Sequence, residues 1–349
     1  MDKIKVAVNG YGIIGKRVAD AVMLQPDMEL VGVSDVASDW RIRMANNKDI
    51  PVYAATTDAR LRMHEAGIET SGYFEDLIQQ VDIEVDCAPK KYGAQNARTY
   101  REAGVKFIVQ GGEKHEITGH SFVAEANYDS ARGREATRVV SCNTTSIVRS
   151  LTALKNAGLL KSARGTLLRR ATDPWESHLN GIMNTLVPEK DIPSHQGPDA
   201  QSVDGDLDVI TAAIKVPETL AHLHYWNVRL NHRVTEQDIL EIFSTSSRIA
   251  FIRYDEGLSA INAVKEMMLD LGRPHGDMYE VAVWADMIKV VDDELFYSYM
   301  VDNQAIVIPE NIDAIRALCR TGVSAIESIK TTNKFMFINS QYFNERYPV

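Results

Sequence analysis

The sequence predicts an α/β protein with two domains: a doubly wound parallel sheet, then an α+β domain on a mixed or antiparallel sheet. Three observations lead to this prediction. At 349 residues the chain exceeds the size at which one hydrophobic core usually stops growing. Short apolar strands alternate with helices through residues 4–140, a pattern typical of parallel sheets covered by helices. Longer strands with fewer intervening helices follow.

The elements of the first half follow from hydrophobic periodicity. Ile4–Val8 and Glu29–Ser34 are predicted strands on either side of a helix at Lys16–Leu24, and together they make one βαβ unit. The alternation then recurs along the chain. The further predicted elements are helices at Asp76–Gln80 and Ala94–Ala103, and strands at Ile83–Cys87, Lys106–Val109 and Thr137–Val140.

The second half of the chain has a different pattern of predicted elements. Its predicted strands are longer and often follow one another directly. A last helix, Ile312–Thr321, is opened by Pro309 and would pack on the first domain. Other helices are predicted at Ile147–Leu154, Thr235–Ser244 and Leu258–Leu271. The predicted strands are Gly165–Ala171, Leu207–Val216, Leu220–Leu230, Arg248–Arg253, Met278–Trp284, Met287–Val291 and Leu295–Val301.

A glycine-rich turn joins the first strand to the first helix. Its sequence, Gly10-Tyr11-Gly12-Ile13-Ile14-Gly15, has the G-x-G-x-x-G spacing. The glycines serve a tight turn, close approach of the backbone to a pyrophosphate, and close packing of helix on strand. The first amides of the helix would bind the phosphates. The motif predicts a Rossmann-type dinucleotide-binding domain, and an ordinary glycine-rich turn is the alternative.

An acidic residue follows the second strand. Asp35 lies twenty positions after Gly15, where a carboxylate accepts hydrogen bonds from the adenosine ribose and repels a 2′-phosphate. This predicts NAD as the preferred cofactor, with NADP possible. Arg41 and Arg43 could instead neutralise a 2′-phosphate, and a solvated charge at the strand end is the structural alternative.

A cysteine between a β-branched run and a helical segment is the candidate nucleophile. Cys142 is flanked by Ser141, Asn143 and Thr144. A thiol at a helix N-terminus lies in the positive end of the backbone dipole, which favours the reactive thiolate. With a nicotinamide cofactor, such a thiol indicates aldehyde oxidation through a thiohemiacetal and a thioester. A buried structural cysteine is the alternative interpretation.

Two histidines are candidates for the base that such a reaction needs. His222 and His224 lie two positions apart in an apolar strand, so they point to the same face of a sheet. Either could pair with the thiol and accept the proton of the hemiacetal. A packed core histidine is the alternative for each.

Composition and sequence pattern argue against several classes of protein. The three cysteines lack CxxC spacing, so neither a disulfide framework nor a cysteine-rich zinc site is expected, and we predict no metal. No apolar run reaches the length of about 20 residues that spans a bilayer. A strand begins almost at Met1, which leaves no room for a signal peptide and favours a cytoplasmic enzyme. The net charge of −10 makes nucleic-acid binding an unfavoured interpretation.

The chain resembles the archaeal-type, phosphorylating glyceraldehyde-3-phosphate dehydrogenases over nearly its whole length. The resemblance implies two domains, a dinucleotide-binding domain of residues 1–141 plus 304–349 and a catalytic domain of residues 142–303. The segments that carry it are Val8–Arg17, Gln110–Lys114, Val140–Thr145, Arg169-Arg170, Val187-Pro188, Pro193–His195, His222 with His224, and Pro309–Asp313.

The same resemblance implies roles for individual residues. Cys142 matches the nucleophile, His222 the catalytic base and His224 its structural partner. Cofactor contacts are implied for Gly112 and Arg170, and Asn303 matches the position that faces the nicotinamide carboxamide. Substrate contacts are implied for Ser141, Asn143, Thr144, Gln196 and Gly197.

Three positions depart from the family pattern. Asp35 replaces a frequent lysine, which puts the family's dual or NADP-leaning cofactor use in doubt. Gln196 replaces the second histidine after Pro-Ser-His, and Asn303 replaces a glutamine. Both replacements keep hydrogen-bonding ability but could alter phosphate affinity or substrate length.

The expected function is NAD(P)-dependent oxidation of D-glyceraldehyde 3-phosphate with inorganic phosphate to 1,3-bisphosphoglycerate. The resemblance implies a homotetramer, whereas composition does not show one. A semialdehyde dehydrogenase or an N-acyl phosphate reductase of amino-acid metabolism is the alternative enzyme. A redox sensor or an RNA-binding protein that uses the same site is the alternative of another class.

Overall fold

The computed structural model describes residues 2–110, 112–171 and 186–346. The chain divides into two compact units, each built around its own sheet. The predicted α/β class is confirmed, since one sheet is parallel and the other is mixed. The units are Met1–Ser141 with Ile308–Phe337, and Cys142–Val307 with Ile338–Val349.

Eight described strands form the sheet of the first unit, and all neighbouring pairs are parallel. They are β1 (Ile4–Asn9), β2 (Met28–Asp35), β3 (Val52–Ala54), β4 (Gly72–Tyr73), β5 (Ile83–Asp86), β6 (Lys106–Gln110), β7 (Ser121–Phe122) and β8 (Ala136–Val139). Their order is β4-β3-β2-β1-β5-β6-β8-β7, so the order reverses beside β1. Open parallel sheets bind ligands beyond the carboxyl ends of the strands at such a reversal.

The described strands of the second unit form a mixed sheet. They are β9 (Leu160–Arg170), β10 (Val187–Pro188), β11 (Val209–Val216), β12 (His222–Leu230), β13 (Ile249–Ile252), β14 (Val281–Trp284), β15 (Lys289–Val291) and β16 (Glu294–Val301). Their order is β10-β11-β9-β12-β16-β14-β13, with β15 paired to β16. Central β12 is antiparallel to both of its neighbours, β9 and β16.

Most of the described helices lie between these strands in the chain, and three follow the last strand. In the part of the chain that the structure describes, no helix is both long enough and apolar enough to span a bilayer. The helices are α1 (Ile13–Leu24), α2 (Trp40–Asn47), α3 (Thr57–Glu65), α4 (Phe74–Ile78), α5 (Gly93–Ala103), α6 (Ala124–Ala131), α7 (Cys142–Asn156), α8 (Gln196–Gln201), α9 (Glu236–Ser244), α10 (Ile261–Asp270), α11 (Ile308–Cys319), α12 (Ala325–Phe335) and α13 (Ser340–Arg346).

Four described helices of the first unit, α2, α3, α6 and α12, have no counterpart in the sequence prediction. Helices α2 and α3 are short and largely exposed, and α2 buries only Ile42 and Ala45, so their hydrophobic periodicity is weak. The N-cap residues of α2 and α3 were the sequence signal that marks where these helices begin. The side chains of Asp39 and Thr56 accept hydrogen bonds from the first-turn amides of α2 and α3.

The C-terminal segment departs from the expected organisation. Helix α11 is followed by two more helices, and residues 304–307 and 338–349 belong to the second unit rather than the first. Packing explains the position of α13. Phe343 lies in the apolar cluster that contains Ile252 and Trp284, and the side-chain oxygen of Asn344 accepts a hydrogen bond from the amide of Phe251.

A carboxyl group is buried without a partner in the first sheet. Glu84 of β5 is fully buried, and neither of its side-chain oxygens has a hydrogen-bond partner. Its register neighbours are the apolar Ala7 and Phe107. Burial, followed by the charge of Asp86, raises the pKa of Glu84 well above its usual range. The folded unit therefore holds Glu84 in its protonated form.

We expect Glu84→Gln to stabilise the protein at pH 8. The folded state retains a proton that the unfolded state releases, so the contribution of Glu84 to wild-type stability falls as pH rises above about 4.3. A gain of 1 kcal/mol corresponds to about 2–4 °C in Tm for a unit of this size. Thermal melts between pH 4 and pH 8 measure the difference, which should vanish near pH 4. The exposed Glu65→Gln is the control, and an equal effect of both changes would contradict the interpretation.

Candidate active site

The predicted phosphate-binding turn adopts a conformation that requires glycine at two positions. Gly10 has a φ of 90°, and a Cβ there would lie 2.8 Å from the amide nitrogen of Ala88. At Gly15 a Cβ would lie 1.8 Å from the carbonyl oxygen of Gly10. Gly12 differs, because a Cβ there would meet no atom within 4 Å. The turn is therefore packed against protein on one side and open to a ligand at Gly12.

The start of α1 suits an anion. Gly12 is the N-cap of α1, and no side chain caps this end of the helix. Ile13 and Ile14 are the first residues of α1, so their amides belong to the uncapped first turn. Asp35 ends β2, and its carboxylate accepts hydrogen bonds from the amides of Tyr11 (2.6 Å) and Ala37 (2.8 Å). Asp35 thus places its negative charge beside the turn.

The second unit brings the candidate nucleophile and the candidate base into contact. Cys142 is the first residue of α7, and His222 is the first residue of β12. The Sγ of Cys142 lies 3.5 Å from the Nε2 of His222. His222 is buried, whereas Cys142 is half-buried. A thiol in contact with an imidazole is the arrangement that nucleophilic catalysis by cysteine uses.

The other ring nitrogen of His222 accepts a hydrogen bond from the main chain. The backbone amide of Arg170, the last residue of β9, donates a hydrogen bond of 3.0 Å to Nδ1 of His222. Burial, followed by the positive charge of Arg170, lowers the pKa of His222 well below its usual range. His224 and Arg169 act in the same direction. His222 is therefore neutral at physiological pH.

Burial also has the largest effect on the pKa of the Cys142 thiol. It raises the pKa of Cys142, and Asp302 adds to this effect, although Arg170, the Asn143 backbone amide and Arg169 oppose it. The start of α7 acts in the expected direction, because the Asn143 amide lowers the pKa of Cys142, but burial outweighs it. The helix amide stabilises the thiolate, but the cost of desolvating a charged sulfur is larger. The resting pair is a neutral thiol beside a neutral imidazole.

A buried chain of hydrogen bonds holds the residue that follows Cys142. The Oδ1 of Asn143, the residue after Cys142, accepts a hydrogen bond of 2.8 Å from Nε2 of His224. Nδ1 of His224 lies 3.0 Å from the hydroxyl of Tyr299, which therefore donates to it. Burial, followed by Arg169, lowers the pKa of His224 to about 3, so this ring stays neutral. His224 is a structural residue in this arrangement.

The other expected substrate positions lie on α7 and α8. The hydroxyl of Thr144 donates a hydrogen bond of 2.7 Å to Asp199 of α8. The amide of Gly197 donates to the hydroxyl of Thr211 at 3.0 Å. Gln196 is fully buried, and neither atom of its side-chain amide has a hydrogen-bond partner. Burying an unpaired polar group costs about 1–3 kcal/mol, so the Gln196 amide is suited to a polar ligand atom.

Three further expected site residues occupy different surroundings. Asn303 follows β16 and is 7% exposed, and its Oδ1 has no hydrogen-bond partner. Ser141 directly precedes α7 and is half-buried. Gly112 is exposed after β6, and its neighbour Gly111 lies outside the described residues.

The sequence analysis did not identify two residues that hold the site. Tyr299 faces His224 because the two are register partners in the β12–β16 pair, and antiparallel register cannot be read from a single strand. Asp199 lies three positions after Gln196 on the same helix, and this i, i+3 spacing was the one available signal.

A Rossmann-type sheet with an open glycine turn, and a second unit that presents a thiol to an imidazole, are typical of cysteine-dependent dehydrogenases. Comparison with known proteins narrows this class. Residues 141–287 match the description "Glyceraldehyde 3-phosphate dehydrogenase, C-terminal domain", and residues 4–119 match "Dihydrodipicolinate reductase, N-terminus". These matches support a nicotinamide cofactor.

The full chain belongs to the glyceraldehyde-3-phosphate dehydrogenase family. It is 44% identical over 339 residues to the glyceraldehyde-3-phosphate dehydrogenase of Methanococcoides burtonii, covering 97% of this chain and all of the relative. The enzyme of Methanobrevibacter smithii is 44% identical over 95% of this chain and 99% of its own length. The enzyme of Thermococcus kodakarensis is 42% identical over 96% of this chain and 99% of its own length. The resemblance read from the sequence is confirmed.

We expect alkylation of Cys142 by iodoacetamide to accelerate steeply with pH. Because burial raises the thiol pKa, the thiolate fraction, and with it the rate, should increase about tenfold per unit between pH 7 and pH 9. Peptide mass mapping reports each thiol, with Cys319, whose pKa burial raises to about 12, as the internal comparison. A rate that is already constant at pH 7 would contradict the raised pKa.

Proposed function

We propose that this protein catalyses the NAD(P)-dependent, phosphorylating oxidation of D-glyceraldehyde 3-phosphate to 1,3-bisphosphoglycerate. The observation that carries this proposal is the 3.5 Å contact between Cys142 Sγ and His222 Nε2 at the start of α7, in a chain of this family. A phosphorylated aldehyde and inorganic phosphate are the substrates.

The residues of the second unit have separate tasks in this reaction. Cys142 attacks the aldehyde carbon to form a thiohemiacetal, and oxidation converts it to a thioester that phosphate cleaves. His222 is the catalytic histidine, because its Nε2 is the ring nitrogen at the sulfur. Arg169 and Arg170 favour the thiolate electrostatically, and each lowers the pKa of Cys142 against the effect of burial.

The proposed cofactor contacts are made by polar groups that suit a nicotinamide dinucleotide. The bound nicotinamide supplies the hydride acceptor. The uncapped first turn of α1, with Gly10, Gly12, Ile13, Ile14 and Gly15, is assigned to the pyrophosphate. The buried Oδ1 of Asn303 has no partner and would accept from a carboxamide N–H. Gly112 and the side chain of Arg170 are further cofactor contacts in the proposal.

Substrate recognition is assigned to the segments around the nucleophile. The proposal places Ser141, Asn143 and Thr144 beside the reacting carbon, since they flank Cys142 in the chain. Gln196 and Gly197 of α8 complete the substrate set. The unpartnered amide of Gln196 supports this, because a phosphate or hydroxyl oxygen would satisfy its N–H donors.

A homotetramer in the cytoplasm is part of the proposal, and an uncovered face of the second sheet supports self-association. Tyr225 of β12 and Phe296 of β16 are 47% and 37% exposed on this face. They border an open groove of about 430 Å³, which is also lined by Ile192, Ile210 and Met287. Exposed apolar patches of this kind mark interaction sites. Sedimentation measures the mass of the assembly directly.

The nucleophile is tested by Cys142→Ser. Because a hydroxyl is far harder to ionise than a thiol, we expect turnover with glyceraldehyde 3-phosphate, NAD and phosphate to fall by about 10³-fold or more while cofactor affinity is nearly unchanged. Steady-state rates and cofactor titration measure the two effects, with Cys319→Ser as the control. Wild-type turnover with aspartate semialdehyde but not glyceraldehyde 3-phosphate would instead identify a semialdehyde dehydrogenase.

We propose NAD as the preferred cofactor, and Asp35→Asn tests the reason. The asparagine keeps one acceptor for the turn amides and removes the negative charge that would repel a 2′-phosphate. We expect kcat/KM for NADP relative to NAD to rise by about tenfold or more. Asp129→Asn, an exposed change of equal charge on α6, should leave the ratio unchanged. An unchanged ratio in Asp35→Asn would show that Asp35 does not select the cofactor.

A further inference from the structure

The loop after β5 lies between two segments that the proposed function assigns to the cofactor. This β5 loop, residues 87–92, leaves the sheet at the carboxyl end of β5, next to the reversal of strand order where open parallel sheets bind ligands. It packs against the glycine turn, since a Cβ at Gly10 would lie 2.8 Å from the amide nitrogen of Ala88. It also approaches Gly112, where a Cβ would lie 3.7 Å from the Cβ of Lys90. A change in the conformation of the β5 loop would therefore reach both segments.

A carboxylate from another segment holds the end of the β5 loop. The Oε1 of Glu113, which follows β6, accepts hydrogen bonds from the amides of Lys91 (2.6 Å) and Gly93 (3.1 Å). Gly93 is the first residue of α5, and the N-cap residue Tyr92 makes no side-chain capping hydrogen bond. The Glu113 carboxylate therefore caps α5 in place of a local side chain. A negative charge is favourable at this end of a helix, and hydrogen bonds to a carboxylate are among the stronger ones.

The surroundings of Glu113 fix this carboxylate in place. A Cβ at Gly93 would lie 2.7 Å from the Cγ of Glu113, so glycine leaves the room that the carboxylate occupies. The amide of Glu113 donates to the carbonyl of Gln110 at 2.9 Å. The carbonyl of Glu113 accepts from the guanidinium of Arg138 at 3.1 Å. Because Glu113 is anchored through its own backbone, it can impose a position on the β5 loop.

The residue that Glu113 holds has a strained backbone. Lys91 has a φ of 89°, in the left-handed region that residues with a Cβ rarely adopt. Such conformations persist only where the surrounding structure imposes them, and they cluster at ligand sites. The 2.6 Å hydrogen bond from the Lys91 amide to Glu113 acts directly on the strained peptide unit.

We propose that Glu113 is a positioning residue, which holds the β5 loop through the Lys91 backbone in the conformation that binds the nicotinamide dinucleotide. This role rests on the proposed function. Glu113 needs no contact with the cofactor, because it acts through the loop. A protein whose binding-competent conformation is only partly populated binds its ligand more weakly in the same proportion. Loss of the carboxylate should therefore raise the dissociation constant of the cofactor, whereas the rate at saturating cofactor should be nearly unchanged.

Two substitutions of Glu113 test the carboxylate. Glu113→Ala removes both acceptor oxygens, whereas Glu113→Gln keeps an oxygen that can accept from the same two amides. We expect Glu113→Ala to raise the dissociation constant for NAD about tenfold, with kcat within about twofold of wild type, and Glu113→Gln to raise the constant by about threefold or less. Calorimetric titration with NAD measures the constants. The exposed Glu116→Ala is the control and should match wild type. An unchanged constant in Glu113→Ala would overturn the proposal.

Substitutions of Lys91 separate a role of the backbone from a general loss of packing. Glycine adopts positive φ without strain, whereas alanine does not, and both remove the lysine side chain. In the Glu113→Ala background, we expect Lys91→Gly to restore NAD affinity to within about threefold of wild type. Lys91→Ala should leave the affinity at the level of Glu113→Ala alone. A merely structural role of Glu113 would not distinguish these double variants, and equal affinities would overturn the role of the Lys91 backbone.

The inference and the proposed function can fail separately, because the titration needs no aldehyde. A wild-type protein that binds NAD but oxidises no aldehyde would overturn the proposed function, and the loss of affinity in Glu113→Ala would still support the role of Glu113. Normal wild-type turnover together with unchanged NAD affinity in Glu113→Ala would overturn the inference alone. A wild-type protein that binds neither NAD nor NADP would overturn both.

Discussion

The hydrogen bond from His224 to Asn143 holds the first turn of α7 against the second sheet, and the position of Cys142 depends on it. Asn143 is the residue after Cys142, so fixing its side chain fixes the start of the helix. His224 is in turn held by Tyr299 across the β12–β16 pair. All three side chains are buried, where a broken hydrogen bond costs about 1–3 kcal/mol and water cannot replace it. A reactive group is thereby carried on a rigid support.

Burial and positive charge act against each other at the reactive pair. Desolvation favours a neutral thiol and a neutral imidazole, whereas Arg169 and Arg170 favour the thiolate. Both arginines also oppose a positive charge on His222, since each lowers the pKa of that ring.

The sequence analysis was most successful where a short local pattern sets the backbone. The turn from Gly10 to Gly15 was readable because its glycines, the strand before them and the helix after them are contiguous in the chain. The short polar helices α2 and α3 were missed because periodicity is weak in elements that bury few side chains. The position of α13 was missed because its contacts, such as Asn344 with Phe251, join segments far apart in sequence.

The sequence by itself determined the class of the fold, the glycine turn and the two reactive residue types, because these follow from local periodicity and from a resemblance over the whole chain. The resemblance implied His222 rather than His224 as the partner of the thiol, and the tertiary structure decided their contact and the orientation of the ring. Cys142 and His222 are 80 positions apart, and the amide that meets His222 belongs to a third segment at Arg170. Strand register brings these three segments together, and register depends on packing across the sheet, which no single stretch of sequence encodes.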